Sequence, residues 1–492
     1  MEKEDYLQLL NSALSAHEVM QYHIDSFNFF TENTLQKIID SNSVIEPAIK
    51  PSTSKEFYIK LGKIELLKPE ISEVDSAVRK LMPMEARIRD LTYNAPMFVP
   101  VSYVADGNPI LEEKIFIGRL PIVVKSKLCH LYGLSRDELI KAKEDPYDPG
   151  GYFIINGTER IILTTEDLVP NNVLINKENR EGILYTAKVF ADAEEVKVPH
   201  VIFLSNSYLL YINFGKMKRI PVVTMLKALG VESESSIRAD IAGEDEDFKN
   251  IIDINFEVFN PGTEKEALEY IGNSIHSSHP KETAEMNIDS LLLPFLGRTK
   301  ESRAVKAEYL KFVVRYLLSY EKEGKEVFKD HYSNKRLHSE NYNLDMLFRF
   351  IFKQVINDAK YNFERGMKKD KIQPPQYIFT SDQLTSRLNS ALATGQWVGG
   401  RVGITQHLDR KSFPFTISNL RKVESLLSSN RENYEARDLH GTHFGRFCPV
   451  ETPEGPKIGL TKHIANFAKI SSENNYQEEI INKLKEYGVK PI

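Results

Sequence analysis

Residues His440–Gly459 read HGTHFGRFCPVETPEGPKIG, and this stretch carries the most specific pattern in the chain. Four glycines and three prolines interrupt any helical or alternating period, which predicts a loop built from tight turns. His440, His443 and Cys448 could supply three ligands to a metal ion. However, Pro449 fixes the backbone beside Cys448, and no fourth ligand stands at a suitable spacing. We therefore predict no metal site here.

Searches for other catalytic motifs in the chain are negative. It contains neither the phosphate-binding loop G-x-x-x-x-G-K-[ST] nor the zinc-protease motif H-E-x-x-H. Gly399–Gly403 is rich in glycine but lacks the spacing and the strand–helix context of a dinucleotide-binding loop. The acidic run 244–247 is explained by a solvated loop more readily than by Mg²⁺ binding. Composition and spacing alone therefore leave the biochemical function open.

The composition predicts a soluble protein with several domains. The chain has 492 residues, of which 41% are hydrophobic, enough to build packed cores and to exclude a disordered chain. Its two cysteines, Cys129 and Cys448, belong to no C-x-x-C pair, which excludes a zinc ribbon. The first ten residues, MEKEDYLQLL, predict no secretory signal, and no apolar run is long enough to cross a membrane. We therefore expect a cytoplasmic protein with no membrane partner.

The formal net charge of −5 conceals an uneven distribution of charge along the chain. Residues 231–290 contain fifteen acidic and four basic residues, whereas residues 396–470 contain eleven basic and seven acidic residues. The local field, rather than the total charge, decides whether a protein attracts nucleic acid. The basic segment is compatible with nucleic-acid binding, although a solvated surface of mixed charge explains the same excess more simply.

The spacing of apolar residues predicts mixed secondary structure. We expect helix in the first forty residues, a strand over Phe57–Leu66, and a long helix over Asn341–Glu364 that ends at Gly366. Two β-hairpins are also predicted, one around the turn Asn156-Gly157 and one between residues 201–204 and 208–212.

Shifts in composition place domain boundaries near Asn171–Asn176, near Lys329–Lys335 and near Gly395. Because helical and strand patterns both occur, without repeats, the predicted fold class is mixed α+β with several domains.

Several motifs resemble the second-largest subunit of multisubunit RNA polymerases, most closely its archaeal form. His440–Gly459 is similar to the fork region of that family, with a pattern that chance seldom produces. Other similar stretches follow in the family's order: MEARIRDLTY at Met84–Tyr93, FIGRLPIVVKS at Phe116–Ser126, GGYFIINGTERII at Gly150–Ile162, DHYSNKRL at Asp330–Leu337, and ALATGQWVGGRVGITQHLD at Ala391–Asp409. The resemblance thus spans nearly the whole chain.

The resemblance implies the family's protrusion, lobe and fork domains. We assign residues 1–172 to the first part of the protrusion, 173–329 to the lobe, 330–395 to the second part of the protrusion and 396–471 to the fork. Residues 472–492 would begin the external region.

The resemblance also implies partners for this chain. The family's subunit normally continues for several hundred residues after the motif ETPEG, and some archaea split it into two polypeptides, B″ and B′. We therefore expect the N-terminal half, B″, with B′, the largest subunit and other polymerase subunits as partners, together with the DNA template and the RNA–DNA hybrid. A truncated form of an unsplit subunit is the alternative to a natural split.

The resemblance places catalysis in the complex and not in this chain. The family's Mg²⁺ is held by an aspartate motif of the largest subunit, NADFDGD, which is absent here. We expect no cofactor or metal bound by this chain and no catalytic residue in it, and the isolated chain should be inactive. The alternative function is a stand-alone nucleic-acid-binding or scaffold protein that reuses the fold.

The motif matches indicate candidate site residues. Gln406 matches a position that contacts the RNA backbone in the family, and Glu451 matches one near the incoming nucleotide, although Glu451 could instead cap local backbone donors. The remaining candidates are nucleic-acid-binding residues: Arg421, Lys422, Arg431, Arg437, Arg446, Asp330, Lys335 and Arg336. The arginine and lysine side chains among them would meet phosphates in a sequence-independent way. Arg437 and Arg446 could equally pair with Glu435 and Asp438, and Asp330, Lys335 and Arg336 could form a salt-bridge group.

Overall fold

The computed structural model describes residues 4, 8, 16–51, 54–73, 78–178, 182–193, 196–231, 233–323, 329–369, 371–397, 401–430, 433–471 and 477–489. The chain forms two compact units. The first unit contains Met1–Asp167 and Leu337–Ile492, and the second contains Leu168–Arg336. The chain therefore leaves the first unit, builds the second from one continuous segment, and returns.

The elements of the first unit before this excursion are α1 (Ala16–Phe29), a π-helical turn (Phe30–Thr34), α2 (Leu35–Asp40), β1 (Val44–Ile45), β2 (Phe57–Leu61), β3 (Glu65–Leu66), β4 (Glu70–Ser72), β5 (Val78–Lys80), α3 (Pro83–Ile88), β6 (Asn94–Ala105), β7 (Asn108–Pro121), α4 (Arg136–Lys141), β8 (Phe153–Ile155), β9 (Thr158–Ile162) and β10 (Thr164–Leu168). Strands β1, β2, β6 and β3 lie in this order in an antiparallel sheet, in which β7 also pairs with β6. The predicted N-terminal helix is confirmed for residues 16–40.

The second unit combines a five-stranded sheet with helices. Its elements are β11 (Val173–Lys177), β12 (Ile183–Ala193), β13 (Val196–Ser205), β14 (Leu210–Phe214), β15 (Met217–Pro221), α5 (Val222–Ala228), α6 (Glu234–Ala242), α7 (Glu246–Val258), α8 (Glu264–Asn273), α9 (Pro280–Leu291) and α10 (Arg303–Glu323). The five strands pair in sequence order, each antiparallel to the next. Apolar residues of the sheet and of these helices share one core.

The elements after the excursion are β16 (Lys335–His338), α11 (Glu340–Met367), α12 (Pro375–Ile378), α13 (Ser381–Thr394), β17 (Thr405–His407), α14 (Phe413–Leu420), β18 (Lys422–Ser425), α15 (Tyr434–Arg437), β19 (Thr461–His463) and α16 (Gln477–Glu486). Helix α11 packs its apolar stripe, which includes Leu344, Phe348 and Val355, into the same core as α1 and β6. The two segments of the first unit are therefore joined through a common interior.

Two small sheets join residues that are far apart in sequence. In one, β9 lies between β17 and β8. In the other, β18 pairs in parallel with β10 and antiparallel with β19, so that Val423 stands opposite Thr164. The first sheet holds β17 against β8 and β9 of the motif GGYFIINGTERII, and the second holds β18 against β10. Together they fix the backbone of the basic segment 401–470, on which most of the candidate residues lie.

The hairpin predictions are confirmed. Strands β8 and β9 pair around Asn156 and Gly157, whose φ angles of 48° and 74° are the positive pair that a type I′ turn requires. Strands β13 and β14 form the second hairpin, with Leu204 opposite Leu210.

Two local predictions were wrong in detail. The strand predicted over Phe57–Leu66 is interrupted after Leu61, and its two parts pair with β6 in registers that differ by one residue, as in a β-bulge. Helix α11 continues through Gly366 to Met367. A Cβ atom at Gly366 would stand 3.0 Å from the carbonyl oxygen of Lys371, so this glycine permits the close return of the chain and does not end the helix.

Candidate nucleic-acid interface

Four side chains from β17, β18 and the 3₁₀ turn before β19 form a polar cluster, which we call the amide cluster: Gln406, Lys422, Glu424 and Lys457. The Lys422 Nζ donates to Gln406 Oε1 at 3.1 Å, and Gln406 Nε2 donates to Glu424 Oε2 at 3.3 Å. Lys457 forms an ion pair with Glu424. Burial lowers the pKa of Lys422, an effect that Glu424 opposes.

The amide cluster holds two lysines against one carboxylate, so it keeps an excess positive charge. Gln406 and Lys422 are both half-buried on short strands. Since the bonds of Gln406 Nε2 are long, a phosphate oxygen could replace them at little cost. The structure thus brings together two residues that the sequence motifs indicated separately.

Arg421 requires a correction, because its side chain is only 3% exposed. Its Nε donates to the carbonyl oxygen of Ile464 at 3.2 Å, and its Nη2 donates to the carbonyl oxygens of Ala465 and Ala468. Burial lowers its pKa. A guanidinium enclosed in this way braces the backbone after β19, and it is not placed to meet a phosphate.

Arg437 and Arg446 differ in how much of their hydrogen-bonding capacity the fold uses. Arg437 donates to the carbonyl oxygens of Pro456, Ile458 and Ser429 at 2.7–3.0 Å, so it braces the loop through carbonyl groups rather than only through the predicted carboxylates. Arg446 is exposed and donates to the carbonyl oxygen of Thr442 at 2.8 Å. Arg446 therefore stays a candidate, whereas the geometry of Arg437 favours a structural role. Arg431 lies outside the described residues.

Glu451 is held by two neighbouring side chains. Its carboxylate accepts a hydrogen bond from Ser418 Oγ and lies 3.4 Å from His463 Nδ1. The same Nδ1 lies 3.0 Å from Ser418 Oγ. In a nucleophilic serine–histidine–acid triad, the serine and the acid bind different ring nitrogens, so these three residues do not form such a triad. Burial lowers the pKa of His463, although Glu451 opposes this. The arrangement orients Glu451, and the nucleotide-proximal role of Glu451 stays a prediction.

The group in DHYSNKRL is partly internal, which corrects two assignments. Lys335 is buried and forms an ion pair of 3.1 Å with Asp330, so these two charges neutralise each other. Arg336 is exposed, and its Nη1 donates to the carbonyl oxygens of Ser333 and Lys335. Of these three residues, Arg336 alone is exposed, and its contact with a phosphate stays a prediction.

His440 takes part in the local structure of its loop. His440 Nδ1 accepts a hydrogen bond from the backbone N–H of Thr442 and so begins a short 3₁₀ turn. In the described part of the chain, no three His, Cys, Asp or Glu side chains converge as metal ligands would. The same residues include no helix with the length and apolarity that a membrane crossing requires.

Sequence reasoning missed Arg160, which lies on β9 between β8 and β17. It is half-buried, and its Nε has no hydrogen-bond acceptor among the described residues. The sequence did contain a signal, because residues two apart on a strand share a face. Arg160 therefore lies on the same face of β9 as the buried Ile162.

Two models of known families match the chain. A family model described as RNA polymerase beta subunit matches residues 18–386, and one described as RNA polymerase Rpb2, domain 3, matches residues 406–470. The chain belongs to the RNA polymerase beta-subunit family. The two matched regions include every candidate residue of the site.

Archaeal relatives of this beta-type chain agree with that assignment. The chain is 41% identical to the DNA-directed RNA polymerase subunit Rpo2N of Methanocaldococcus jannaschii, over 98% of both chains. It is 36% identical to Rpo2N of Methanothermobacter thermautotrophicus over 96% of both chains. It is also 36% identical to subunit Rpo2 of Saccharolobus solfataricus, over 99% of this chain and 43% of that protein. The beta-type chain is therefore a subunit of DNA-directed RNA polymerase, and the resemblance to the N-terminal half of a split archaeal subunit is confirmed.

Proposed function

We propose that the chain forms one side of the DNA cleft, and the fork beside the active centre, of an RNA polymerase that transcribes DNA into RNA from ribonucleoside triphosphates. The observation that carries this proposal is the amide cluster with its excess positive charge, in a segment that also exposes Arg446. Such groups hold template and hybrid by attraction to phosphate, independently of base sequence.

The contrast between Arg446 and Arg437 provides a matched test in the reconstituted polymerase. Arg446→Gln should make the salt dependence of template binding shallower by about 0.9 for each phosphate that the variant no longer neutralises. Arg437→Gln removes the same charge from a side chain that braces the loop, so it should lower the melting temperature and leave the salt slope unchanged. Equal slopes in wild type and Arg446→Gln would contradict the proposal for this residue.

The polymerase reaction itself belongs to the complex in this proposal. The attack of an RNA 3′-hydroxyl on a nucleotide α-phosphate requires Mg²⁺, which we assign to the largest subunit. Support comes from the sequence, which does not contain the aspartate motif NADFDGD that holds Mg²⁺ in the family. The purified chain should incorporate no labelled nucleotide on a primed template, whereas the reconstituted complex should. Incorporation by the purified chain would overturn this division of roles.

The partner we propose is a polypeptide similar to the rest of the longer Saccharolobus subunit, that is, the C-terminal half B′, beside the largest subunit. Support comes from helix α16. Its apolar side chains Ile480, Ile481 and Leu484 are 45–55% exposed, and its end is a regular Schellman turn in which Val489 N donates to Leu484 O. A ten-residue helix is marginal in water by itself and is usually stabilised by packing its apolar face.

Co-expression with that partner tests the role of α16. Leu484→Ser removes an apolar side chain from the exposed face, while Lys485→Ser changes the adjacent residue and serves as the matched control. Leu484→Ser should reduce co-purification of the partner at least several-fold, and Lys485→Ser should not. Equal yields of the complex from both variants would assign the partner's contact to another surface.

A further inference from the structure

Arg160 differs from Arg87 and Arg410 because no carboxylate among the described residues forms an ion pair with it. Arg87 binds Glu144 and Glu159, both at 2.8 Å, and Arg410 binds Asp148 and Glu159, both at 2.7 Å. Glu159 precedes Arg160 in β9, but its side chain extends from the opposite face of the strand. Glu144, Glu159 and Asp148 are thus engaged with Arg87 and Arg410.

The position of Arg160 is set by a rigid row across three strands. In the sheet β17–β9–β8, Arg160 stands opposite His407 on one side and opposite Phe153 on the other. Phe153 is 1% exposed, whereas His407 is exposed. The row therefore runs from the interior to the surface, and the arginine lies at the point where the two meet.

An arginine in this position lowers the stability of the free protein. A buried donor without an acceptor gives up its hydrogen bond to water without replacement, and the ε N–H of Arg160 is such a donor among the described residues. Burial also lowers the pKa of Arg160. Native structures contain few such donors, and a bound ion is one of the physical reasons for which they persist.

We propose that Arg160, beside His407, is a binding subsite for one phosphodiester group of the nucleic acid held by the polymerase. A guanidinium presents planar, paired donors that match two phosphate oxygens, and the ε N–H completes such a pair. The sheet holds the donor in place before the ligand arrives, so binding costs little side-chain freedom. This inference rests on the proposed function and adds a contact to it that none of the motif matches indicated.

The test uses the reconstituted polymerase bound to a template–RNA scaffold, with retention measured across a salt series. Arg160→Gln should weaken retention and make the salt slope shallower by about 0.7–0.9, the value for one phosphate. Arg160→Lys keeps the charge and should retain the wild-type slope. The control is Arg219→Gln, because Arg219 in the second unit contacts the ring of Tyr211 and not a site residue.

A second readout separates binding from a structural role. Removal of an unpaired guanidinium should leave the melting temperature of the purified chain unchanged or slightly raised, whereas removal of a bracing arginine would lower it. The inference would be overturned if Arg160→Gln showed the wild-type salt dependence of scaffold retention, or if its melting temperature were lowered by several degrees. If the wild-type complex itself retains no scaffold, the proposed function fails, and the failure lies there and not with Arg160.

Discussion

Replacement of Glu340 by glutamine should destabilise the first unit in a pH-dependent way. Glu340 on α11 and His23 on α1 are each 1% exposed and form an ion pair through His23 Nδ1. The other ring nitrogen, Nε2, lies 2.7 Å from the carbonyl oxygen of Leu420. Both ring nitrogens face acceptors, and both can donate only when the imidazole is protonated. The pair therefore consists of a charged histidine and a carboxylate, with one proton more than a neutral histidine beside a carboxylate.

This proton links the stability of the unit to pH. Burial alone would lower the pKa of His23, but the charge and hydrogen bond of Glu340, with the Leu420 carbonyl, raise it above the ordinary value. A histidine whose pKa is raised in the folded state makes its full contribution to stability at pH values below its pKa in the unfolded chain, about 6.5. That contribution disappears as pH rises through the raised pKa.

The expected magnitude follows from the buried pair. Removing one partner of such a pair costs about 3–5 kcal/mol, and a hydrogen bond from glutamine recovers about 1 kcal/mol. Glu340→Gln should therefore lower the free energy of unfolding by about 2–4 kcal/mol near pH 6. The difference from wild type should shrink above the raised pKa, since the wild type then loses its proton as well.

The assay is urea unfolding followed by tryptophan fluorescence. The chain has one tryptophan, Trp397, which is buried in the first unit and donates to Thr405 Oγ1, so its emission reports on this unit alone. The control Glu112→Gln changes an exposed carboxylate and should stay within about 0.5 kcal/mol of wild type. The reasoning would be refuted if Glu340→Gln had the same free energy of unfolding as this control. It would also be refuted if the loss of unfolding free energy in Glu340→Gln were the same at low and high pH.

Three further substitutions test packing and buried charge. Arg421→Gln removes three bonds to carbonyl oxygens and should cost about 2–3 kcal/mol by Trp fluorescence, with no change in the salt slope of template binding. Gly272→Ala would place a Cβ atom 2.0 Å from the Pro280 carbonyl oxygen, so thermal unfolding followed by circular dichroism should show at least about 2 kcal/mol of destabilisation. Lys462→Met deprives the buried Glu166 of this cation and should cost about 3–5 kcal/mol in the urea assay.

Local structure followed from the sequence wherever near neighbours decide it. The spacing of Leu344, Phe348 and Val355 identified α11, because one face of a helix repeats every three or four residues. Asn156-Gly157 identified a hairpin because both residues tolerate a positive φ. The bulge after Leu61 was missed, since it depends on the register with β6, which is formed by residues about forty positions away.

The family and its place in transcription also followed from the sequence, because motifs such as ETPEG are read without reference to distant contacts. The roles of single charged residues did not. Arg421 and Arg446 are both arginines of the same basic segment, yet one is enclosed by carbonyl groups some forty residues further on and the other is exposed. Arg160 lies in a stretch that the motif match covered, and only the absence of an acceptor around it, within the described residues, marked it as a candidate. Whether a charge is buried, paired or open is decided by groups remote in sequence, so tertiary structure alone assigns that role.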